Sequence, residues 1–284
     1  MTRAELPSFD LVVATIDREE EVERLLSSLA AQTYRGFRVV LVDQNDDDRL
    51  EPAVTAHPTL EVVRLRSAPG LSRARNAGLE RVSAEVVAFP DDDCIYPPDV
   101  LERVAARFAG EPALDGLTGR PVDETGTSPP TWNHEPAELT DDNLWNRVVS
   151  FAIFLRRGTV TAVGPFDEAL GLGSGTPWCS GEEVDYLVRA VRGGARIVYD
   201  PGFTVGHPAK PPAADGPGAL GFRDGASVGY ILRKHQYPPR VAARMLVRPA
   251  GGTLVSLFRL RLDRARFHAA TLRGRIRGLR AGRR

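Results

Sequence analysis

The chain has 284 residues, 42% of them hydrophobic and 26% charged, with 37 basic and 37 acidic side chains. This is the composition of a folded globular protein able to bury a substantial core. Its two cysteines, Cys94 and Cys179, exclude a four-thiolate metal site and a disulfide framework, and predict reduced thiols in a cytoplasmic protein. Balanced net charge carries no information on partners, but its distribution does. The last 26 residues hold ten Arg and one Asp, whereas the first hundred lean acidic. Met1–Pro7 has no apolar signal region, and no run approaches the roughly 18 apolar residues of a spanning helix. Any membrane contact is therefore expected to be peripheral.

In chain order, Asp10–Ala14 reads as a short apolar strand, and Val22, Leu25, Leu26 and Leu29 mark one face of a helix. Arg38–Asp43 and Leu60–Leu65 are further strands. A helix is expected from about Leu71 to Val82, then a buried strand, Val86–Phe89, ending at Asp91-Asp92-Asp93. Pro97-Pro98 opens a helix carrying Leu101, Val104 and Phe108. Asp123 to Asp142 reads as a long loop and Val148–Leu155 as a strand. Leu170–Gly175 is a glycine-rich loop, Glu182–Gly193 a helix and Ala195–Tyr199 a last short strand. A Pro/Gly-rich stretch, Pro208 to Gly221, leads to a basic helical tail. Apolar strands alternating with amphipathic helices predict a mostly parallel sheet covered on both faces, with ligands at the C-terminal strand ends.

Four groups of residues carry chemistry. Ala14-Thr15-Ile16-Asp17-Arg18 closes the first strand and Asp43 the second. A carboxylate there can accept the imide N–H of uracil or thymine, or Thr15 and Asp43 can cap the following helices. Arg73 and Arg75 lie in the first turns of a helix, where the macrodipole disfavours cations unless an anion or acidic cluster is near. Asp91, Asp92 and Asp93 repel one another, so their clustering points to a bound cation or a solvated acidic turn. Glu182, Glu183 and Asp185 crowd the start of a helix. Part of that pattern is a capping box with Ser180, and part fits a general base raised by like charges. His207 could join two carboxylates around a Mn²⁺-type ion.

With these groups in this order, the chain resembles the family 2 glycosyltransferases over roughly residues 9 to 210. The resemblance implies a GT-A fold, Rossmann-like with a mostly parallel central sheet flanked by helices, in residues 1–215, followed by a basic helical extension in 216–284. Phe89-Pro90-Asp91-Asp92-Asp93 resembles the family's DXD region, which implies Asp91, Asp93 and His207 as ligands of Mn²⁺ or Mg²⁺ and Asp92 beside the ribose. Gly181-Glu182-Glu183-Val184-Asp185 is similar to the family's Gly-Glu-Asp-x-Asp segment, which implies Glu183 as catalytic base, with Glu182 and Asp185 beside it. Ala14, Thr15, Arg18, Asp43 and Arg73 or Arg75 match the nucleotide-binding positions. Trp178 stacks on a sugar or packs internally. The implied reaction is a single inverting displacement from a UDP- or dTDP-sugar to a hydroxyl of a glycan, lipid-linked or small-molecule acceptor.

From Leu254 to Leu279, apolar residues recur every three or four positions among arginines, which predicts one amphipathic helix. It either packs on the body or lies on an anionic membrane surface. Nucleic acid is not expected, because the body has no basic reading motif. A sugar nucleotidyltransferase would carry a glycine-rich basic first loop, and Ala14 to Glu21 has no glycine. A catalytically inactive sugar-nucleotide-binding module remains the other reading, since it need not keep Glu183 or His207.

Overall fold

A computed structural model describes residues 6–208 and 216–281. They form two compact units, one within Met1–Phe166 and Tyr186–Ala209, the other within Asp167–Asp185 and Lys210–Arg284.

The first unit is built on an eight-stranded sheet of order β3-β2-β1-β4-β7-β5-β8-β6. Strands β1 (Phe9–Thr15), β2 (Phe37–Asp43), β3 (Val62–Arg66) and β4 (Val86–Ala88) run parallel. The strand β7 (Ile153–Arg156) is antiparallel to β4 and to β5 (Gly116–Val122), which pairs in parallel with β8 (Ile197–Gly206). The two-residue β6 (Ala137–Glu138) closes the edge. All seven residues of β1 are buried, as expected of a central strand covered on both faces. Helix α1 (Glu19–Ala30) buries Val22, Leu25, Leu26 and Leu29 and sets Glu19, Glu20 and Glu21 at its positive end. Three further helices belong to this part: α2 (Glu51–Ala56), α3 (Leu71–Leu79) and α4 (Val100–Gly110).

A buried ion pair ties these elements together. Asp10 on β1 accepts Arg38 Nε at 2.5 Å and the backbone N–H groups of Ser83 and Ala84 at 2.5 and 2.8 Å. Burial alone would raise the Asp10 pKa, but the hydrogen bonds from Arg38, Ala84 and Ser83 hold it below the ordinary value.

Several expectations need correction. Val148–Leu155 is not one strand: Ser150–Ala152 forms a 3-10 turn before β7. β5 carries little strand signal because Gly116, Gly119 and Pro121 interrupt it, and its register with β8 shifts between Thr118 and Arg120. A short helix, α5 (Arg157–Val163), follows β7 where none was expected, whereas α6 spans Glu182–Arg192 as expected to within a residue. The last strand is longer than expected and continues through Pro201-Gly202 to Gly206.

In the second unit, α7 (Gly216–Lys234), α8 (Pro239–Phe258) and α9 (Leu262–Leu279) form a helical group. The Pro208–Gly221 linker is shorter than expected because α7 starts at Gly216; residues 209–215 of it lie outside the described residues. Glycines let α7 and α9 meet backbone to backbone. A Cβ on Gly225 would strike the Thr271 backbone, one on Gly229 that of Arg275, and one on Gly278 that of Ala226. The single amphipathic helix over Leu254–Leu279 is also corrected. The chain breaks at Arg259–Arg261, with Leu260 at φ +54, so Leu254 and Phe258 end one helix and Leu262 begins the next. Among the described residues no helix is long and apolar enough to cross a membrane.

Candidate active site

The C-terminal ends of β1, β2 and β4 meet at one edge. Thr15 is opposite Asp43 in the β1–β2 register, and Ala14 bridges Asp91. A second bridge, Ile95 with Gly206, brings the chain after the three aspartates beside the end of β8 and so delivers His207. Asp91, Asp93 and His207 thereby place one ligand atom each within 4.8 Å of one another. His207 Nε2 is 3.1 Å from Asp93 Oδ1, while its Nδ1 donates to the Pro208 carbonyl at 2.7 Å and its ring stacks on Phe151. The backbone acceptor orients the imidazole so that Nε2 faces the acids, the arrangement of a metal-ligating histidine.

Arg18 Nη1 bridges Asp92 Oδ1 at 2.9 Å and Asp93 Oδ2 at 2.5 Å. Burial opposes charge on Asp93, but His207 and Arg18 outweigh it and hold the carboxyl at about 2. The same contact raises His207 above its ordinary value against the effect of burial. For Asp92, burial outweighs Arg18 and pushes the carboxyl up to about 6. The Thr15 hydroxyl, buried near Asp92, meets no hydrogen-bond geometry. Arg75 is buried and donates to Asp91 Oδ1 at 2.9 Å, an oxygen that also accepts Ser150 Oγ at 2.9 Å. Arg73 is exposed and donates to the Pro69 carbonyl. The two arginines are thus not equivalent: Arg75 positions an acid, and Arg73 faces outward.

Asp43 is fully buried and heavily partnered. Oδ1 accepts Asn45 N and Nδ2 at 2.9 and 2.7 Å, and Oδ2 accepts Arg64 Nε and Nη2 at 3.0 and 2.7 Å. Arg66 Nη1 lies 3.1 Å away. Sequence reasoning missed Arg64, Arg66 and Asn45, and also Ser150. The signal for the arginines was present: Arg64 and Arg66 alternate on β3, and the parallel register sets Arg66 opposite Asp43.

The remaining candidates belong to the second unit. Gly171, Gly173, Gly175 and Gly181 all have positive φ, so the loop before α6 follows a path that other residues resist. At Gly181 space adds to the constraint, because a Cβ would lie 2.8 Å from Ile231 Cδ1. Trp178 stacks on Tyr230 with ring centroids 5.1 Å apart, which commits one face of the indole to packing. In the first turn of α6, Glu182 is buried and Glu183 half-buried. Asp185 is fully buried, with its Oδ1 2.6 Å from Lys234 Nζ and 2.7 Å from His235 Nε2. Lys234 also pairs with Asp167 at 2.7 Å. These contacts give Asp185 the surroundings of an anchor for the turn that carries Glu182 and Glu183.

A model of glycosyl transferase family 2 matches residues 10–170. Glycosyltransferase AglE of Haloferax volcanii is 27% identical over 218 residues, covering 72% of this chain and 68% of its own length. Pre-mycofactocin glycosyltransferase of Mycobacterium tuberculosis is 27% identical over 259 residues, covering 87% of this chain; the chain spans only 51% of that relative. Among solved structures, mannosyltransferase PcManGT from Pyrobaculum calidifontis, in complex with GDP-Man and Mn²⁺, superposes with a TM-score of 0.67 at 16% identity over 97% of this chain and 88% of its own. S. aureus TarS 1-349 in complex with UDP-GlcNAc gives 0.63 at 18% identity over 95% and 90%. The architecture is therefore that of the GT-A class, a mixed, mostly parallel sheet flanked by helices. The chain belongs to glycosyl transferase family 2, whose members here are enzymes of glycosyl transfer.

Proposed function

We propose that this chain is a divalent-metal-dependent, inverting glycosyltransferase that moves a sugar from a nucleotide-diphosphate donor to an acceptor hydroxyl. The observation carrying this reading is the convergence of Asp91, Asp93 and His207 within 4.8 Å, with His207 oriented by the Pro208 carbonyl. Two carboxylates and an imidazole suit Mn²⁺ or Mg²⁺. An ion held there supplies charge neutralisation for a diphosphate leaving group. Arg75 and Ser150 hold Asp91 in place for that task, and Arg73, exposed on the same helix, is the proposed phosphate contact.

Asp43 is the proposed reader of a uracil or thymine imide N–H, which would replace the Asn45 side-chain amide on Oδ1; Arg64 and Arg66 hold its carboxylate in place from Oδ2. Asp92 and Ala14 line the nucleoside side of the same strand ends. Glu183 is the proposed base, taking the proton from the attacking hydroxyl, with Glu182 beside it. A single displacement at the anomeric carbon then inverts its configuration without a covalent intermediate. The acceptor is a glycan, a lipid-linked sugar or a small molecule, and the Arg-rich tail is proposed to meet an anionic membrane surface. A screen of UDP-, dTDP- and GDP-sugars by thermal shift, with and without Mn²⁺, tests the donor reading. A uridine or thymidine diphosphate sugar should raise the melting temperature chiefly with the ion present, and a shift given only by the GDP-sugar would contradict the assignment of Asp43.

A further inference from the structure

The second unit ends in an apolar point. Of the large hydrophobic residues exposed among those described, Leu254, Val255, Leu257, Phe258, Leu260 and Leu262 crowd the junction of α8 and α9, with Phe258 91%, Leu260 84% and Leu254 69% exposed. The junction is a closed turn: Arg259, Leu260 and Arg261 donate backbone N–H groups to the carbonyls of Val255, Leu257 and Ser256. Leu260 occupies the left-handed region at φ +54, a helix-ending position that favours glycine. A bulky residue kept there, and exposed in water, gains nothing in the isolated unit. Next to the point, a groove of about 800 Å³ continues the apolar surface from Leu254 along Ala250, Ala269 and Leu272.

Charge selects the occupant. Residues 239–281 contain eleven arginines, one aspartate and no glutamate. Arg259, Arg261, Arg264 and Arg266 are exposed around the point, and the single acid, Asp263, is paired with Arg266 at 3.3 Å. A protein partner would have to match both the apolar residues and this dense ring of guanidinium groups. An anionic lipid leaflet matches both at once, with hydrocarbon below and phosphate above.

We propose that the α8–α9 turn is a membrane-docking point that inserts Phe258, Leu260 and Leu262 into an anionic leaflet while the surrounding arginines hold lipid phosphates. This rests on the reading of an anionic surface as partner and alters how it is met. The helices do not lie flat, since α9 spends its small face on α7; the turn enters end-on. The test is the full chain with Phe258→Trp, mixed with phosphatidylcholine vesicles with and without phosphatidylglycerol. The introduced indole should shift to the blue and be quenched by brominated acyl chains only when phosphatidylglycerol is present. Phe258→Ser with Leu260→Ser should keep the circular dichroism spectrum and lose on the order of tenfold or more in vesicle partitioning. Vesicle binding that is unchanged in the serine variant, with no quenching of the indole, leaves surface association standing and overturns insertion. A concentration-dependent dimer that the serine variant abolishes would assign the point to a second copy and also overturn it.

Discussion

Arg18 bridges Asp92 and Asp93, so the acid edge carries its own counterion, and three adjacent aspartates persist at a buried strand end without unfolding it. The three differ in chemistry. Asp93 stays ionised at about 2 and Asp92 rises to about 6. That contrast agrees with a ligand role for Asp93 and a neutral, hydrogen-bonding role for Asp92 near pH 6 and below. Asp93→Asn and His207→Ala should each weaken Mn²⁺ binding by at least ~10- to 100-fold in calorimetric titration. Unaltered affinity would remove both from the ion site. Glu183→Gln should lower kcat by about 10²- to 10⁴-fold while the donor Kd stays the same. If Glu182→Gln shows that loss and Glu183→Gln does not, the base is the buried neighbour. Trp178 and Asp185 illustrate the limits of reading single residues. Tyr230 takes one face of the indole, and Lys234 with His235 takes the carboxylate, partners that neither residue announces in the sequence.

At the scale of elements, Asp10 joins β1, β2 and the turn before β4 through one carboxylate. Its lowered pKa means that its stabilising contribution is complete above the ordinary carboxylate value and is lost as pH falls through the depressed one. Asp10→Asn should therefore cost about 2 kcal/mol in urea unfolding near pH 7, discounted for the partial exposure of Arg38, and progressively less below about pH 4. A gap between the proteins that does not narrow in acid would contradict this. Gly225→Leu should lower stability by about 1 to 3 kcal/mol by forcing α7 from α9; an unchanged melting temperature would show that the glycine contact is dispensable. The parallel half was legible because β1, β2 and β4 are apolar runs and α1 has a clean 3.6-residue period. The mixed half was legible only in part: β7 and β8 left a signal and β5 did not. β5 hides behind Gly116, Gly119 and Pro121, and the turn at Ser150–Ala152 carries the Ser150 contact with Asp91, which local pattern cannot reveal. Likewise the α8–α9 break is set by a Leu in a glycine conformation, so periodicity ran straight through it. The candidate site was legible in Asp91, Asp93 and His207, which stand in motifs and which the structure brings together. Arg64 and Arg66 left a signal in their alternation on β3, whereas Lys234 and His235 matter only through a partner distant in sequence.

At the scale of the whole molecule, the chain joins a family 2 catalytic architecture to a basic helical group with an apolar end. The catalytic reading depends on whether Asp91, Asp93 and His207 hold an ion that the reaction needs. The most direct test is the rate of sugar transfer or donor hydrolysis by the chelator-treated protein, measured with and without added Mn²⁺ across UDP-, dTDP- and GDP-sugars. Turnover of a UDP- or dTDP-sugar should disappear on chelation, return with Mn²⁺, and fail to return in Asp93→Asn. Equal turnover in chelator and in Mn²⁺ would contradict the catalytic reading.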